Sequence, residues 1–180
     1  MGSLMSFSSN FMVSTMRINY KTPRLRFPDF NEPFKKYRLG EISSMFSGAT
    51  PLTHNKSYYD GDIPFIKSGE ISSNITMQFL SQEGLNNSSA KQVIKGDLLY
   101  ALYGATSGEV AISKINGAIN QAVLCIRSSE FLNMYMVELL KLKKKDIVKK
   151  YLQGGQGNLS AEIIKSFRSE EHTSELQSRH

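Results

Sequence analysis

The spacing of apolar residues changes once along this chain, near Ser129, and that change constrains the fold more than any other feature. Before it, apolar residues come in short runs: Ile63–Lys67 after Asp60-Gly61, Leu98–Tyr103 after Gly96-Asp97, Gly108–Ser113, and Ala118–Arg127 after Asn116-Gly117. Gln92–Lys95 leads into the Gly96-Asp97 turn, and Tyr37–Ile42 is either a short strand or a helical turn. Runs of this length, separated by glycine, asparagine and aspartate, are strands joined by turns. Pro64 suits an edge or the start of its strand, Gly48 supplies backbone freedom, and Pro51 stiffens the segment after it. After Ser129, Phe131, Tyr135, Leu139 and Leu142 recur at helical spacing, with Leu132 and Leu140 beside them. That predicts an amphipathic helix over Ser129–Tyr151. Gly154-Gly155-Gln156-Gly157 breaks it, and Asn158 or Ser160 can cap the next. The expectation is therefore α+β: one mixed domain of short, mostly antiparallel strands, an amphipathic helix and the start of a second helix.

Both ends fall outside this pattern. Pro23, Pro28 and Pro33 make the approach extended, so residues 1–34 are expected to form a lead-in and residues 35–167 the folded unit. Met1–Tyr20 lacks the cationic and apolar regions of a secretory signal. Arg168–His180 is polar, lacks an apolar period and resembles a translated sequencing-adaptor read. It is expected to be a non-native tail, with the natural chain continuing past Phe167. Without it the 22 basic and 16 acidic side chains become 20 and 13, so the net charge moves from +6 to +7.

That basic excess favours an anionic partner. With 40% hydrophobic and 21% charged residues, the chain can bury an ordinary core. A single cysteine, Cys125, excludes an internal disulfide framework and a thiolate metal cage; it reads as a small core hydrophobe. No apolar run approaches the roughly 20 residues of a membrane helix, so no membrane partner and a cytoplasmic location are expected. No phosphate loop of the form Gly-x-x-x-x-Gly-Lys-Ser/Thr occurs, and the Gly154 run departs from the dinucleotide fingerprint. No cofactor is expected. His54 has no histidine partner at metal spacing and reads as a loop residue. Asp60, Asp62 and Glu70 can in principle gather magnesium for a nuclease, but turn chemistry accounts for the aspartates.

Several segments carry a resemblance in order. Gly48-Ala49-Thr50-Pro51 is followed by Tyr59-Asp60-Gly61-Asp62-Ile63-Pro64-Phe65-Ile66-Lys67-Ser68-Gly69-Glu70-Ile71. Then come Glu83–Lys91, Lys95-Gly96-Asp97-Leu98-Leu99, Gly104-Ala105-Thr106-Ser107-Gly108, Asn120-Gln121 and Gly154–Leu159. Together they resemble a target-recognition domain from the DNA specificity subunit of type I restriction–modification systems, over about Lys21 to Phe167. The resemblance implies a non-enzymatic component that reads one half of a split double-stranded DNA target. In that family, long helices join two such domains and dock methyltransferase subunits; a separate motor subunit translocates and cleaves DNA. This chain carries one such domain and stops where the first long helix is expected.

Residue chemistry read without the resemblance is compatible with it. DNA binding needs cations for phosphates and short polar side chains for base edges. Candidate DNA-binding residues are Thr50, Asn55, Lys56, Lys67, Ser68, Asn86, Asn87, Ser88, Lys91, Tyr103 and Thr106, with Lys95 and Lys114 on neighbouring loops. Asparagine suits adenine and lysine suits guanine, while Tyr58, Tyr59, Tyr100 and Tyr103 can pack on sugars or bases. Each also has a plainer reading. Asn86-Asn87 can be turn formers, the tyrosines core or rim, each lysine a solvated charge, and Asn120-Gln121 structural. Lys141–Lys150 reads most simply as the wet face of its helix. The alternatives are a magnesium-dependent DNA endonuclease and an assembly module that reads no DNA.

Overall fold

The computed structural model describes residues 37–129, 131–152 and 158–169. The lead-in 1–34, the glycine run 154–157 and the tail beyond Ser169 lie outside the described residues.

The chain enters through β1 (Tyr37–Arg38), one helical turn α1 (Leu39–Ile42) and β2 (Ser43–Ser47). Tyr37–Ile42 is thus strand and helical turn in succession. Next come β3 (Ile63–Ile66), β4 (Phe79–Leu80), α2 (Gln82–Asn86) and β5 (Lys91–Val93). The strands β6 (Leu98–Ala101), β7 (Val110–Ile112), β8 (Gly117–Ile119) and β9 (Val123–Ser128) follow. Two helices, α3 (Asn133–Leu152) and α4 (Ala161–Ser166), precede β10 (Arg168–Ser169).

Two four-stranded sheets form, in the orders β2-β9-β6-β7 and β4-β3-β8-β5, and β1 pairs with β10. The described pairings are antiparallel except β3 with β8. Mixed α+β architecture with mostly antiparallel strands is as expected from the period change.

Alternation along the central strands creates the layers, because successive strand residues face opposite sides. Leu98 and Tyr100 of β6, with Leu124 and Ile126 of β9, face the helices; there they meet Leu39, Ile42, Met136, Leu140, Ile147 and Ile164. Leu99, Ala101, Val123 and Cys125 face the second sheet and pack with Ile66 and Ile119. On that sheet's outer side, Phe65, Leu80 and Ala118 pack under Tyr59 and Leu85. The order is helices, sheet, sheet, then the loop layer carrying α2. Strands buried on both faces read as unbroken apolar runs, which is why β6 and β9 were visible in the sequence.

Two expectations change, the Pro64 reading holds in its second alternative, and one strand was not anticipated. Ala118–Arg127 is two strands in different sheets: Asn120 Oδ1 accepts from the Ala122 N–H at 3.1 Å, turning the chain from β8 into β9. Asn120 is structural, as read. Pro64 lies at the start of β3, which is an inner strand: Ile63 and Pro64 pair with β4, while Phe65 and Ile66 pair with β8. On α3 the buried stripe is Met136, Val137, Leu139, Leu140 and Ile147, whereas Leu132 and Leu142 are exposed. Finally, β2 (Ser-Ser-Met-Phe-Ser) is too polar to form an apolar run; it exists by pairing with β9 from Ser43↔Ser128 to Ser47↔Leu124.

The domain boundary expected at Phe167 lies directly before a two-residue ladder. Leu39 N–H donates to Phe167 O at 2.9 Å, and Arg38 pairs with Arg168. Ser160 caps α4, its Oγ accepting from Ile163 N–H at 3.3 Å.

Candidate nucleic-acid interface

At the end of β3 the chain leaves the sheet at Lys67 and tightens into a 3-10 turn, Ser68–Glu70. Glu70 fixes the course of the loop beyond it. Its Oε2 accepts from the Lys67 N–H at 3.1 Å and its Oε1 from the Met77 N–H at 2.9 Å. Ser73 Oγ accepts from Ile75 N–H at 3.2 Å, and Thr76 Oγ1 donates to Gln78 O at 3.0 Å. Phe65 N–H reaches the same Gln78 carbonyl at 2.9 Å. The loop is thereby returned to the flank of β3 as β4.

A second loop faces it. Asn55 Oδ1 accepts from the N–H and hydroxyl of Ser57, at 3.3 and 2.9 Å, and caps the 3-10 turn Lys56–Tyr59. Tyr59 Oη donates to Pro51 O at 2.7 Å, and Thr50 Oγ1 donates to Gln121 Oε1 at 2.5 Å. Between the loops lies an open hollow of about 370 Å³ lined by Thr50, Thr53, Lys56, Tyr59, Phe65, Lys67 and Gln78. The third loop arrives at Gly104, whose φ of 89° brings it beside Ser68 Oγ; a Cβ built there would lie 3.9 Å from that oxygen.

The predicted residues divide accordingly. Thr50, Lys56 and Lys67 line one hollow, Ser68 adjoins it, and Asn55 holds the turn that presents Lys56. Thr106 is half-buried in the Gly104 loop, where its carbonyl accepts from Glu109 N–H at 2.9 Å. Asn86, Asn87, Ser88 and Lys91 lie outside the hollow. Asn86 Oδ1 accepts from Gln82 Nε2 at 2.8 Å, and Asn87 N–H caps α2 on Glu83 O at 2.9 Å. Ser88 Oγ donates to Leu85 O and accepts from Ala90 N–H, both at 3.3 Å. These three have the geometry of turn formers. Lys91 is exposed on β5.

The tyrosines separate too. Tyr103 packs half-buried against the helix-side core. Tyr100 is wholly buried there, and burial drives its hydroxyl pKa strongly upward. It cannot stack on a base. Tyr59 is at the hollow, its pKa raised by burial. Sequence reading missed Thr53 and Gln78; nothing local marks them, because only the β3–β4 pairing and the Thr50 loop bring them together.

The charges are distributed unevenly. Among the described residues, Lys56, Lys67, Lys91, Lys95 and Lys114, and on α3 Lys145, Lys149 and Lys150, are exposed and have no carboxylate partner. On α3, Lys141 meets Glu138 at 2.8 Å and Lys144 meets Glu109 at 2.5 Å. The arginine of β9 is also engaged: Arg127 grips buried Asp97 through Nε (2.9 Å) and Nη2 (2.6 Å), while Ile94 N–H adds a bond of 2.9 Å. Burial pushes the Asp97 pKa up, but these hydrogen bonds and the Arg127 charge outweigh it and hold the carboxyl below its usual range. Cys125, beneath this pair in the core, has its pKa pushed up to about 12 by burial and the Asp97 charge.

Both oxygens of Glu70, on which a magnesium site would rest, are engaged by backbone N–H groups. Among the described residues no three His, Cys, Asp or Glu side chains gather as a metal site, and no helix is long and apolar enough to cross a membrane.

Three solved structures are similar in fold. The S subunit of a type I restriction–modification system from M. genitalium matches with a TM-score of 0.58 at 16% identity, over 80% of this chain and 36% of that one. The HsdS subunit from Thermoanaerobacter tengcongensis matches at 0.59 and 16%, over 88% and 37%. A chain from a study of type I R-M complex assembly and conformational transition matches at 0.63 and 16%, over 89% and 39%. This chain therefore spans somewhat over a third of the length of each. The sequence of residues 31–168 matches the family described as the type I restriction modification DNA specificity domain, and the chain belongs to that family.

Proposed function

We propose that this domain binds double-stranded DNA and reads one half of a split target, directing methylation and cleavage carried out by other subunits. The observation that carries the reading is the hollow at the end of β3. Two exposed lysines without carboxylate partners among the described residues, Lys56 and Lys67, stand there beside Thr50, Thr53 and Gln78. Cations free of carboxylates can replace the counterions of phosphates, and the short polar side chains between them can address base edges. Lys91, Lys95, Lys114, Asn86–Ser88 and Thr106 lie outside that hollow and remain candidates by residue type. The family supports a specificity role rather than catalysis. Methyltransferase subunits and, through them, a motor/endonuclease subunit are the partners this reading implies. No cofactor enters it, and its place of action is the cytoplasm, where such a complex meets DNA.

The test is equilibrium binding of the full chain to duplexes selected from a random library and to scrambled duplexes, over a series of salt concentrations. Selected DNA is expected to bind tighter, with log K falling linearly with log salt. Lys56→Ala and Lys67→Ala are each expected to reduce that slope by about one unit. Equal affinity for selected and scrambled DNA at every salt concentration refutes sequence reading by this chain.

A further inference from the structure

The loop between the turn Ser68–Glu70 and β4 carries two large apolar side chains in water. Ile75 is 69% and Met77 89% exposed, while Thr76 between them is buried at 8%. Scattered exposed apolar residues need no explanation. These two alternate about a residue that is turned inward and pinned, on a loop held at both ends. Thr76 Oγ1 is bonded to Gln78 O, and Glu70 clasps the N–H groups of Lys67 and Met77 with its two oxygens. One carboxylate thus sets Met77 directly beside Lys67, and Gln78, the next residue, lines the hollow with Lys67 and Lys56.

From this placement we propose that Met77 is a specificity-determining residue that reads the 5-methyl group of a thymine, with Glu70 as the positioning residue that holds it there. The inference rests on the DNA-binding reading above. A methionine thioether is too weak an acceptor to read a base edge by hydrogen bonding, but its unbranched chain adapts to apolar surfaces. The apolar feature that a major groove offers is the thymine methyl. When Lys67 and Lys56 meet the phosphates, an apolar side chain held beside Lys67 is brought to the groove. Glu70 is the residue that suggested a metal site in the sequence; here its charge fixes the backbone of a reading loop.

The experiment uses the full chain, its selected duplex, and duplexes in which each thymine in turn is replaced by deoxyuridine, which lacks only the methyl group. For the unmodified protein, one replacement is expected to weaken binding by several-fold to about tenfold. Met77→Ala should weaken binding to the thymine duplex by a similar factor, lose its sensitivity to that replacement, and leave the salt slope unchanged. Met77→Leu should keep part of the preference. Glu70→Gln, which retains one acceptor oxygen, should blunt the same discrimination without altering the slope. Met77 is nearly fully exposed, so its variants are expected to fold, and circular dichroism checks this.

If the unmodified protein selects a sequence but is indifferent to every thymine methyl, or if Met77→Ala keeps full sensitivity, the inference fails and the DNA-reading proposal stands. A changed salt slope in Met77→Ala also overturns it, since the loop would then be positioning phosphate contacts. If the protein selects no sequence at all, the broader proposal fails and this one with it.

Discussion

A Cβ built on Gly48 would lie 1.7 Å from the carbonyl oxygen of Ile119, in the backbone of the neighbouring sheet. Its φ is not positive, so close approach requires this glycine rather than the backbone freedom its loop position suggested. Gly48→Ala is expected to cost about 2–4 kcal/mol in urea unfolding, because two backbone segments must part. Gly69→Ala, with nothing within 4 Å, should stay within about 0.5 kcal/mol of the parent. Tyr100 makes the opposite case. Its buried Oη has no hydrogen-bond partner among the described residues, so Tyr100→Phe should leave the thermal midpoint unchanged or raise stability by up to about 1 kcal/mol. Asp97 does have partners. Asp97→Asn should cost about 1–3 kcal/mol at neutral pH, discounted because Arg127 is 44% exposed. Since folding lowers the Asp97 pKa, the unfolded chain binds this proton more readily, and stability rises with pH across that window. The contribution is complete above the ordinary carboxylate range near pH 4 and is lost as pH falls through the lowered value. A pH series of urea midpoints should show a shallower acid limb for Asp97→Asn. None of these three roles could be read from residue type, since each depends on what distant segments place, or fail to place, around the side chain.

Helix α3 shows how far periodicity reaches at the scale of an element. Its existence was legible from the apolar stripe. Of the residues expected on it, Phe131 and Leu139 are buried and Tyr135 packs on the core, whereas Leu142 is exposed and Met136, Val137 and Ile147 complete the buried face. The face that meets the sheet carries Met136, Val137, Leu140 and Ile147. A segment rich in both leucine and lysine admits neighbouring stripes, and docking against β6 and β9 selects between them. Chemical unfolding should separate the two leucines: Leu140→Ala is expected to cost about 2–5 kcal/mol, and Leu142→Gln to change stability by less than about 0.5 kcal/mol. The same limit explains the Asn86–Ser88 segment. Its composition suits base contacts and turns equally, and the hydrogen bonds around α2 have turn geometry.

At the scale of the whole molecule, the sheet partners join distant segments. Ser43–Ser47 pairs with Leu124–Ser128, and β1 meets β10 at the far end of the described chain. That last ladder is only two residues long, while α1 packs on α4 and Leu39 bonds Phe167 independently of it. A chain ending at Phe167 should therefore keep its circular dichroism spectrum and DNA preference, with a loss of about 1–2 kcal/mol from the missing strand pairing. An unfolded product would show instead that residues beyond Phe167 are integral. By itself the sequence determined the α+β class, the order of strands before helices, most turn positions, the basic excess and the family likeness. These follow from spacing and composition among neighbours along the chain. Only the tertiary structure decided that Ala118–Arg127 is divided between two sheets and that polar Ser43–Ser47 is a strand. It also decided which lysines stand apart from carboxylates around one hollow. Burial, strand pairing and charge compensation all depend on which segments meet in space, and local periodicity carries no record of those meetings.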